Sequence, residues 1–228
     1  MTGTIVRRLV TTAFGIGAGY AMARQCRKPT GWFGRRVARV MNVGHARLTA
    51  WGLGHVRIEP SWHVLDIGCG GGQTIRSIAA VATAGRVEGV DYAPASVAVA
   101  RQTNADLIAS GRVAVQQASV SRLPFPDGSF DLITGVETHY YWPDLPHDLR
   151  EARRVLKPQG RFIIIAETYK GRRMDWLYRP VMRLLLRATY LSVDEHRAAL
   201  TEAGFVAVEV HTEPSRGWLC AIGARPGY

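Results

Sequence analysis

The chain has 228 residues, 47% of them apolar and 21% charged, with a formal net charge of +11. Those fractions exclude a fibrous or disordered polypeptide and predict one globular domain with an appendage and a substantial core. Cys26, Cys69 and Cys220 are odd in number, widely spaced and without metal-ligand spacing, which excludes a disulfide framework or structural zinc site and predicts a reducing, cytoplasmic setting.

The charge is concentrated at the front. Residues 1–60 hold ten basic side chains and one acidic, whereas residues 61–228 hold 19 and 17. The body is nearly neutral, so nucleic acid is not an expected partner, because such enzymes surround their cleft with basic groups. The basic arm suits peripheral contact with an anionic membrane surface, or stands as a solvated tail.

In chain order, Met1–Lys28 is a basic and apolar arm. Leu9–Ala23 is 15 residues without a charge between Arg7-Arg8 and Arg24, short for a membrane span and diluted by Gly15, Gly17 and Gly19. It reads as a docked or weakly anchored helix. The alternative is a signal sequence with Ala21-Met22-Ala23 as its cleavage site. Pro29-Thr30-Gly31 marks a break, and residues 29–60 form a helical cap with Val37, Val40, Met41, Leu48 and Leu53 apolar and Gly44-His45 between. His45 alone reads as a packing or capping residue.

Residues 61–228 form the main domain. Val64, Leu65 and Ile67 are a short apolar run of the kind a buried parallel strand requires. It breaks into Gly68-Cys69-Gly70-Gly71-Gly72, and Gln73–Thr83 follows with helical spacing. Strand, glycine turn and helix describe a nucleotide site at the carboxyl edge of a parallel sheet. A dinucleotide fingerprint needs a third glycine where Gln73 stands. Asp66 precedes the turn and suits a cationic guest better than a pyrophosphate. Asp66, Gly68, Gly70 and Gly72 spell D-x-G-x-G-x-G, which resembles the first motif of class I S-adenosylmethionine-dependent methyltransferases. Cys69 reads as a small filler within the turn.

The resemblance extends along the chain. Asp91 ends a second strand, Arg86–Val90, 21 residues after Gly70. An acidic residue there reaches ribose hydroxyls, and the resemblance assigns Asp91 that role and Tyr92 a contact beside the adenine. Ala95–Ala109 reads as one helix and Arg112–Gln117 as the third strand. Leu123-Pro124-Phe125-Pro126-Asp127-Gly128-Ser129-Phe130-Asp131 resembles the family's L-P-F-P-D-x-S-F-D stretch. Four positions before Leu123 the family usually has an acidic residue for the adenine amino group. Ser119 stands there and accepts more weakly, while a main-chain contact from Val120 is unaffected. Lys157-Pro158-Gln159-Gly160 resembles the family's turn into the fifth strand, Arg161–Ala166.

After the fourth strand, Phe130–Val136, come Glu137-Thr138-His139-Tyr140-Tyr141-Trp142. The resemblance places this loop beside the transferred methyl group. Glu137 is assigned to the cofactor side. His139, which titrates near neutrality, and Tyr140 are the catalytic candidates; the bland reading makes His139 a hydrogen-bonded structural residue and Tyr140 pocket wall or core. Residues 169–190 form a basic amphipathic insertion, read as a helix packed on the sheet with its arginines in water; a lid over an apolar acceptor is the alternative. Ser192 and Glu195 predict a capping box, and Phe205–His211 with Gly217–Ile222 a terminal hairpin.

The whole predicts an α/β, Rossmann-like doubly wound sheet of about seven strands. The resemblance implies an antiparallel last strand, and an N-terminal helical extension precedes the sheet. The function implied is methyl transfer from S-adenosylmethionine to a small apolar or amphipathic acceptor by in-line displacement. The alternatives are an NAD-dependent oxidoreductase and a non-catalytic, membrane-associated cofactor-binding module.

Overall fold

The computed structural model of the chain describes residues 25, 27–172, 175–186 and 188–227. The Leu9–Ala23 stretch, the Ala21-Met22-Ala23 sequence and Cys26 lie outside them. Among the described residues no helix is long and apolar enough to cross a membrane.

Among the described residues two helices precede the sheet, α1 (Gly31–Gly44) and α2 (Ala46–Leu53), with His45 at the corner between them. The sheet then begins with β1 (His63–Ile67). α3 (Gln73–Ala79), β2 (Arg86–Asp91), α4 (Pro94–Thr103), α5 (Ala105–Ala109) and β3 (Val113–Gln117) follow, then β4 (Phe130–Val136), α6 (Leu145–Val155) and β5 (Leu156–Ala166). The insertion forms α7 (Asp175–Pro180) and a wide π turn (Val181–Leu185). The chain ends with α8 (Val193–Glu202), β6 (Val206–Glu213) and β7 (Trp218–Ala224).

Among the described residues seven strands form one sheet in the order β3-β2-β1-β4-β5-β7-β6. The first five are mutually parallel, and β7 runs antiparallel between β5 and β6. The expected doubly wound sheet with its antiparallel last strand is what forms. The central strands are buried on both faces, which is why they read as unbroken apolar runs: Leu65, Ile133, Ile163 and Ile165 are fully buried. Each such side chain stabilises the fold by about 1.5–3 kcal/mol relative to exposure.

Three departures from the sequence reading have local causes. The expected helix Ala95–Ala109 breaks at Asn104, whose fully buried side-chain amide donates to the carbonyls of Gly72 at 3.0 Å and Ala100 at 2.9 Å. Asn104 so ties the end of α4 to the glycine turn. β5 starts at Leu156 rather than Arg161. Gln159 takes φ +64, its N–H donates to the Arg225 carbonyl and the Arg225 N–H returns to Gly160, so the expected turn is absorbed into the strand. The insertion is a short helix followed by a π turn rather than one continuous helix. The capping box forms as expected: Ser192 Oγ accepts from the Glu195 N–H while Glu195 accepts from the Ser192 N–H.

The cap helices lie against the sheet. α2 crosses β5 at Gly52, where a Cβ would stand 2.5 Å from the Ile165 side chain, and α1 packs on α4. In the insertion Met182 is buried in the core, whereas Trp176, Arg179, Arg183 and Leu184 are exposed.

Candidate active site

The chain leaves β1 toward β2 and leaves β4 toward β5 on the other side, so a crevice opens at the carboxyl ends of these neighbouring strands. A cavity of about 350 Å³ fills it. Its walls are the Gly68–Gly71 turn, Asp91 and Tyr92 after β2, Ser119 and Val120 after β3, Glu137, Thr138, Tyr141 and Trp142 after β4, and His45 and Thr49 from the cap.

The turn is built on left-handed glycines. Gly68 has φ +71, and a Cβ there would stand 2.1 Å from Thr138 Oγ1. Glycine therefore lets the loop after β4 close onto the loop after β1. Gly70 has φ +51, but its missing Cβ would meet no protein atom nearer than 4.0 Å. Its bare face is open on the cavity wall. The Gly68 and Cys69 N–H groups both donate to the Val90 carbonyl, at 2.8 and 3.0 Å, which locks the turn to β2. The Gly70 N–H donates to Asp91 Oδ2 at 3.0 Å and the Ala93 N–H to Oδ1 at 2.8 Å. Asp91 thus holds the turn and its own loop together while lining the cavity. Burial raises its pKa and these two main-chain donors oppose the rise.

Asp66 sits at the floor, 2% exposed, accepting from Thr134 Oγ1 at 2.6 Å. Burial pushes its pKa up to about 7; the Thr134 bond opposes this and the charge of Asp91 adds to it. Among the described residues no ion pair compensates its charge. Burial likewise pushes the Cys69 thiol well above its usual range, so it is an inert filler.

Tyr92 is anchored from the N-terminal side. Its hydroxyl donates to the Arg27 carbonyl, and the Lys28 ammonium lies 5.5 Å from the centre of its ring. Burial raises the phenol to about 12. Ser119 is exposed on the rim and its Oγ accepts from the Ser121 N–H at 3.2 Å. Gly72, by contrast, does not line the cavity: a Cβ there would stand 2.5 Å from Asn104 Nδ2 and 2.9 Å from Ala100 Cα, so its smallness serves helix packing.

Neither catalytic candidate reaches the cavity. His139 is fully buried behind it, with Nε2 3.2 Å from His196 Nε2, and burial followed by the neighbouring imidazole holds its pKa well below the usual histidine value. Tyr140 is 4% exposed and donates to the Thr168 carbonyl at 3.1 Å; burial, then the charge of Glu137, raises its phenol well above 10. A base without access to an acceptor cannot take its proton, so the expected catalytic role is withdrawn from both. The polar text of Glu137–Trp142 gave no sign that α8 would cover His139.

Sequence reasoning missed Glu167 and read His45 only as a packing or capping residue. His45 lines the cavity, and Glu167, one residue past β5, faces it with Nε2 and Oε2 4.0 Å apart. The rule that sites gather at strand carboxyl ends would have singled out Glu167; His45 had only its place beside Gly44.

Residues 65–164 match a family model described as a methyltransferase domain. The chain is 31% identical over 179 residues to a 27-O-demethylrifamycin SV methyltransferase of Amycolatopsis mediterranei (strain S699), covering 74% of this chain and 65% of that one. It is 32% identical over 173 residues to a 2-methyl-6-phytyl-1,4-hydroquinone methyltransferase of Synechocystis sp. (strain ATCC 27184 / PCC 6803 / Kazusa), covering 72% and 52%. The chain therefore spans about half to two thirds of the length of these relatives. Among solved structures, a SAM dependent methyltransferase from Aquifex aeolicus superposes with a TM-score of 0.67 at 20% identity, over 84% of this chain and 98% of that one, which shows the shared fold.

Residues 65–164 match a methyltransferase domain, and fold, crevice and relatives are similar to those of class I S-adenosylmethionine-dependent methyltransferases. Its cofactor is S-adenosylmethionine, and its relatives modify small molecules. The residues present suit that donor. Asp66 is a buried carboxylate lacking a cation, and the open face of Gly70 leaves space against the main chain.

Proposed function

We propose that this chain transfers the methyl group of S-adenosylmethionine to a small apolar or amphipathic acceptor by in-line displacement. The observation that supports it best is Asp66: a carboxylate raised to about 7 by burial, without an ion pair among the described residues, beside a glycine turn open to the cavity. Such a group gains most from a positively charged guest. Asp66 and the Gly68–Gly70 turn, with Cys69 as filler, hold the methionine portion. Asp91 takes the ribose hydroxyls with the lone pairs its main-chain donors leave. Tyr92, Ser119 Oγ and the Val120 main chain flank the adenine. The donor supplies an activated methyl group on a positively charged sulfur.

The protein's share of catalysis is placement and dryness. The cap contributes Ala38, His45, Ala46 and Thr49 to the cavity wall, and Trp142, with Nε1 donating to Thr138 Oγ1 at 3.1 Å, fixes the loop after β4. Effective molarities of about 10⁵ M or more are open to well-oriented pairs, so a base is not obligatory. Relatives acting on a rifamycin and on a phytyl hydroquinone support an apolar or amphipathic acceptor.

Isothermal titration with S-adenosylhomocysteine tests the reading. Wild type binds and Asp91→Ala does not. Equal heats for the two would remove Asp91 from the site, and binding of a nicotinamide coenzyme in place of S-adenosylhomocysteine would restore the oxidoreductase alternative.

We further propose residues 29–60 as a cap over the crevice and peripheral membrane contact at its outer face. α1 exposes Trp32 and Phe33 beside Arg35, Arg36 and Arg39, an aromatic and basic surface suited to anionic lipid. Co-sedimentation with phosphatidylserine liposomes falls in a Trp32→Ala, Phe33→Ala double variant or on deletion of residues 1–28. Unchanged co-sedimentation in both would leave the arm and α1 without that role.

A further inference from the structure

His45, Glu137 and Glu167 come from three separate segments: the α1–α2 corner, the end of β4 and the end of β5. Each offers one ligand atom, and the three atoms lie within 4.8 Å of one another. His45 and Glu137 line the cavity, and Glu167, which is exposed, lies beside His45. Tyr141 and Trp142 continue the same wall. The corner holds two carboxyl groups and an imidazole. Burial first, and then the charge of Glu167, push the Glu137 carboxyl well above its ordinary range. The groups around Glu137 are the Glu167 N–H and the Tyr140 hydroxyl, neither of which carries a positive charge. Arg172 donates to the main-chain carbonyl of Glu167 at 3.1 Å. Among the described residues no lysine or arginine forms an ion pair with either carboxylate.

The spacing admits two kinds of cation. Three ligands at about 2.1 Å around a tetrahedral metal ion stand roughly 3.4 Å apart. Three acceptors at about 2.8–3.0 Å around one tetrahedral nitrogen stand roughly 4.6–4.9 Å apart. His45 Nε2 and Glu167 Oε2 are 4.0 Å apart, between the two spacings, and no pair of the three atoms is more than 4.8 Å apart. What favours an ammonium group is the setting: two carboxyl groups without a lysine or arginine partner among the described residues, beside the aromatic wall of Tyr141 and Trp142. We propose that the His45–Glu137–Glu167 corner is the acceptor subsite and that it takes a primary ammonium group on an apolar body, making the enzyme an N-methyltransferase. The proposal rests on the methyl-transfer reading above and narrows its acceptor.

The step balances. The ammonium passes one proton to His45 Nε2, with the other ring proton on Nδ1. A turn about the C–N bond then takes the freed lone pair from His45 toward the methyl carbon, and in that turn at least one of the two remaining N–H groups leaves its glutamate. The new C–N bond forms as the C–S bond breaks, and its electron pair stays on sulfur. The products are an N-methylammonium and S-adenosylhomocysteine, and His45 returns its proton to water. His45 is then a catalytic residue, and the two glutamates bind the acceptor.

The test is titration of benzylamine and n-hexylamine, with benzyl alcohol and n-hexanol as matched probes, into protein saturated with S-adenosylhomocysteine. The amines bind at least about tenfold tighter than the alcohols. Glu167→Gln weakens the amines by about tenfold or more, leaving S-adenosylhomocysteine affinity unchanged. Glu167 is exposed, so the variant keeps its melting temperature. With labelled donor, radioactivity appears in the amine. Equal binding of amines and alcohols, no binding of either amine, or amine binding indifferent to Glu167→Gln overturns the proposal. So does tight one-to-one binding of Zn²⁺ alone that Glu167→Gln abolishes, which would make the corner a metal site. Absence of S-adenosylhomocysteine binding in wild type would sink the methyl-transfer reading, and this proposal with it; retained binding with any of the other contrary results sinks only the proposal.

Discussion

Replacing Asp66 by asparagine separates the demands of binding from those of folding. In the folded chain the Asp66 carboxyl titrates at about 7 against an ordinary value of 3.8, chiefly because it is buried. The folded state therefore holds the proton over a window in which the unfolded chain has already released it. In that window the unfolded state binds fewer protons, so stability falls as pH rises from about 4 and levels off above about 7. A displacement of that size corresponds to about 4 kcal/mol at full effect, an upper bound that structural relaxation brings toward about 2. Asparagine keeps an oxygen for the Thr134 hydroxyl and carries no charge. Asp66→Asn should therefore be more stable than wild type by about 2–4 kcal/mol at pH 8 and nearly equal to it at pH 4. Urea unfolding at the two pH values measures this, with unchanged m-values confirming that the same transition is compared. The same variant should lose most of its affinity for S-adenosylmethionine at pH 8. A stability change of equal size at both pH values would refute the reasoning, because the effect would then owe nothing to the charge.

Other substitutions probe the surroundings of that carboxylate. Gly70→Ala places a methyl group in open space on the cavity wall at φ +51, so it should lower stability by only about 1–2 kcal/mol while sharply weakening S-adenosylhomocysteine binding by titration. Gly68→Ala drives its Cβ to 2.1 Å from Thr138 Oγ1 and should unfold at markedly lower urea; equal stability of the two variants would contradict the contrast. His139 and His196 form a buried pair whose pKa values are both lowered by burial. Their contribution to stability is complete above the unfolded value near 6.5 and is lost progressively as pH falls below it. His139→Phe should flatten that acid limb in thermal melts taken between pH 7 and 5, and an unaltered limb would assign it to other groups.

The sheet was legible because its signals are local. β1 and β4 announce themselves as apolar runs, and Ser192-Val193-Asp194-Glu195 contains both halves of its cap within four residues. The glycine turn was legible for the same reason: a left-handed backbone selects glycine wherever the chain later travels. What stayed hidden depends on distant partners. Asn104 ends α4 by bonding to a carbonyl 32 residues away, and nothing in its neighbours shows that. His139 sits in a polar-looking segment and is sealed off by His196, 57 residues later. His45 and Glu167 meet only because α2 can lie close to β5 at Gly52, where the side chain is a single hydrogen. A motif reading finds the half of the crevice that faces the donor, and misses the half assembled by the cap.

The hydrogen bond from the Tyr92 hydroxyl to the Arg27 carbonyl joins the segment ahead of α1 to the cavity wall. Shortening the chain to Pro29 would strip this latch from the cavity wall. Docking of the front end on a surface would act through the same handle, making occupancy of the pocket responsive to where the molecule is moored.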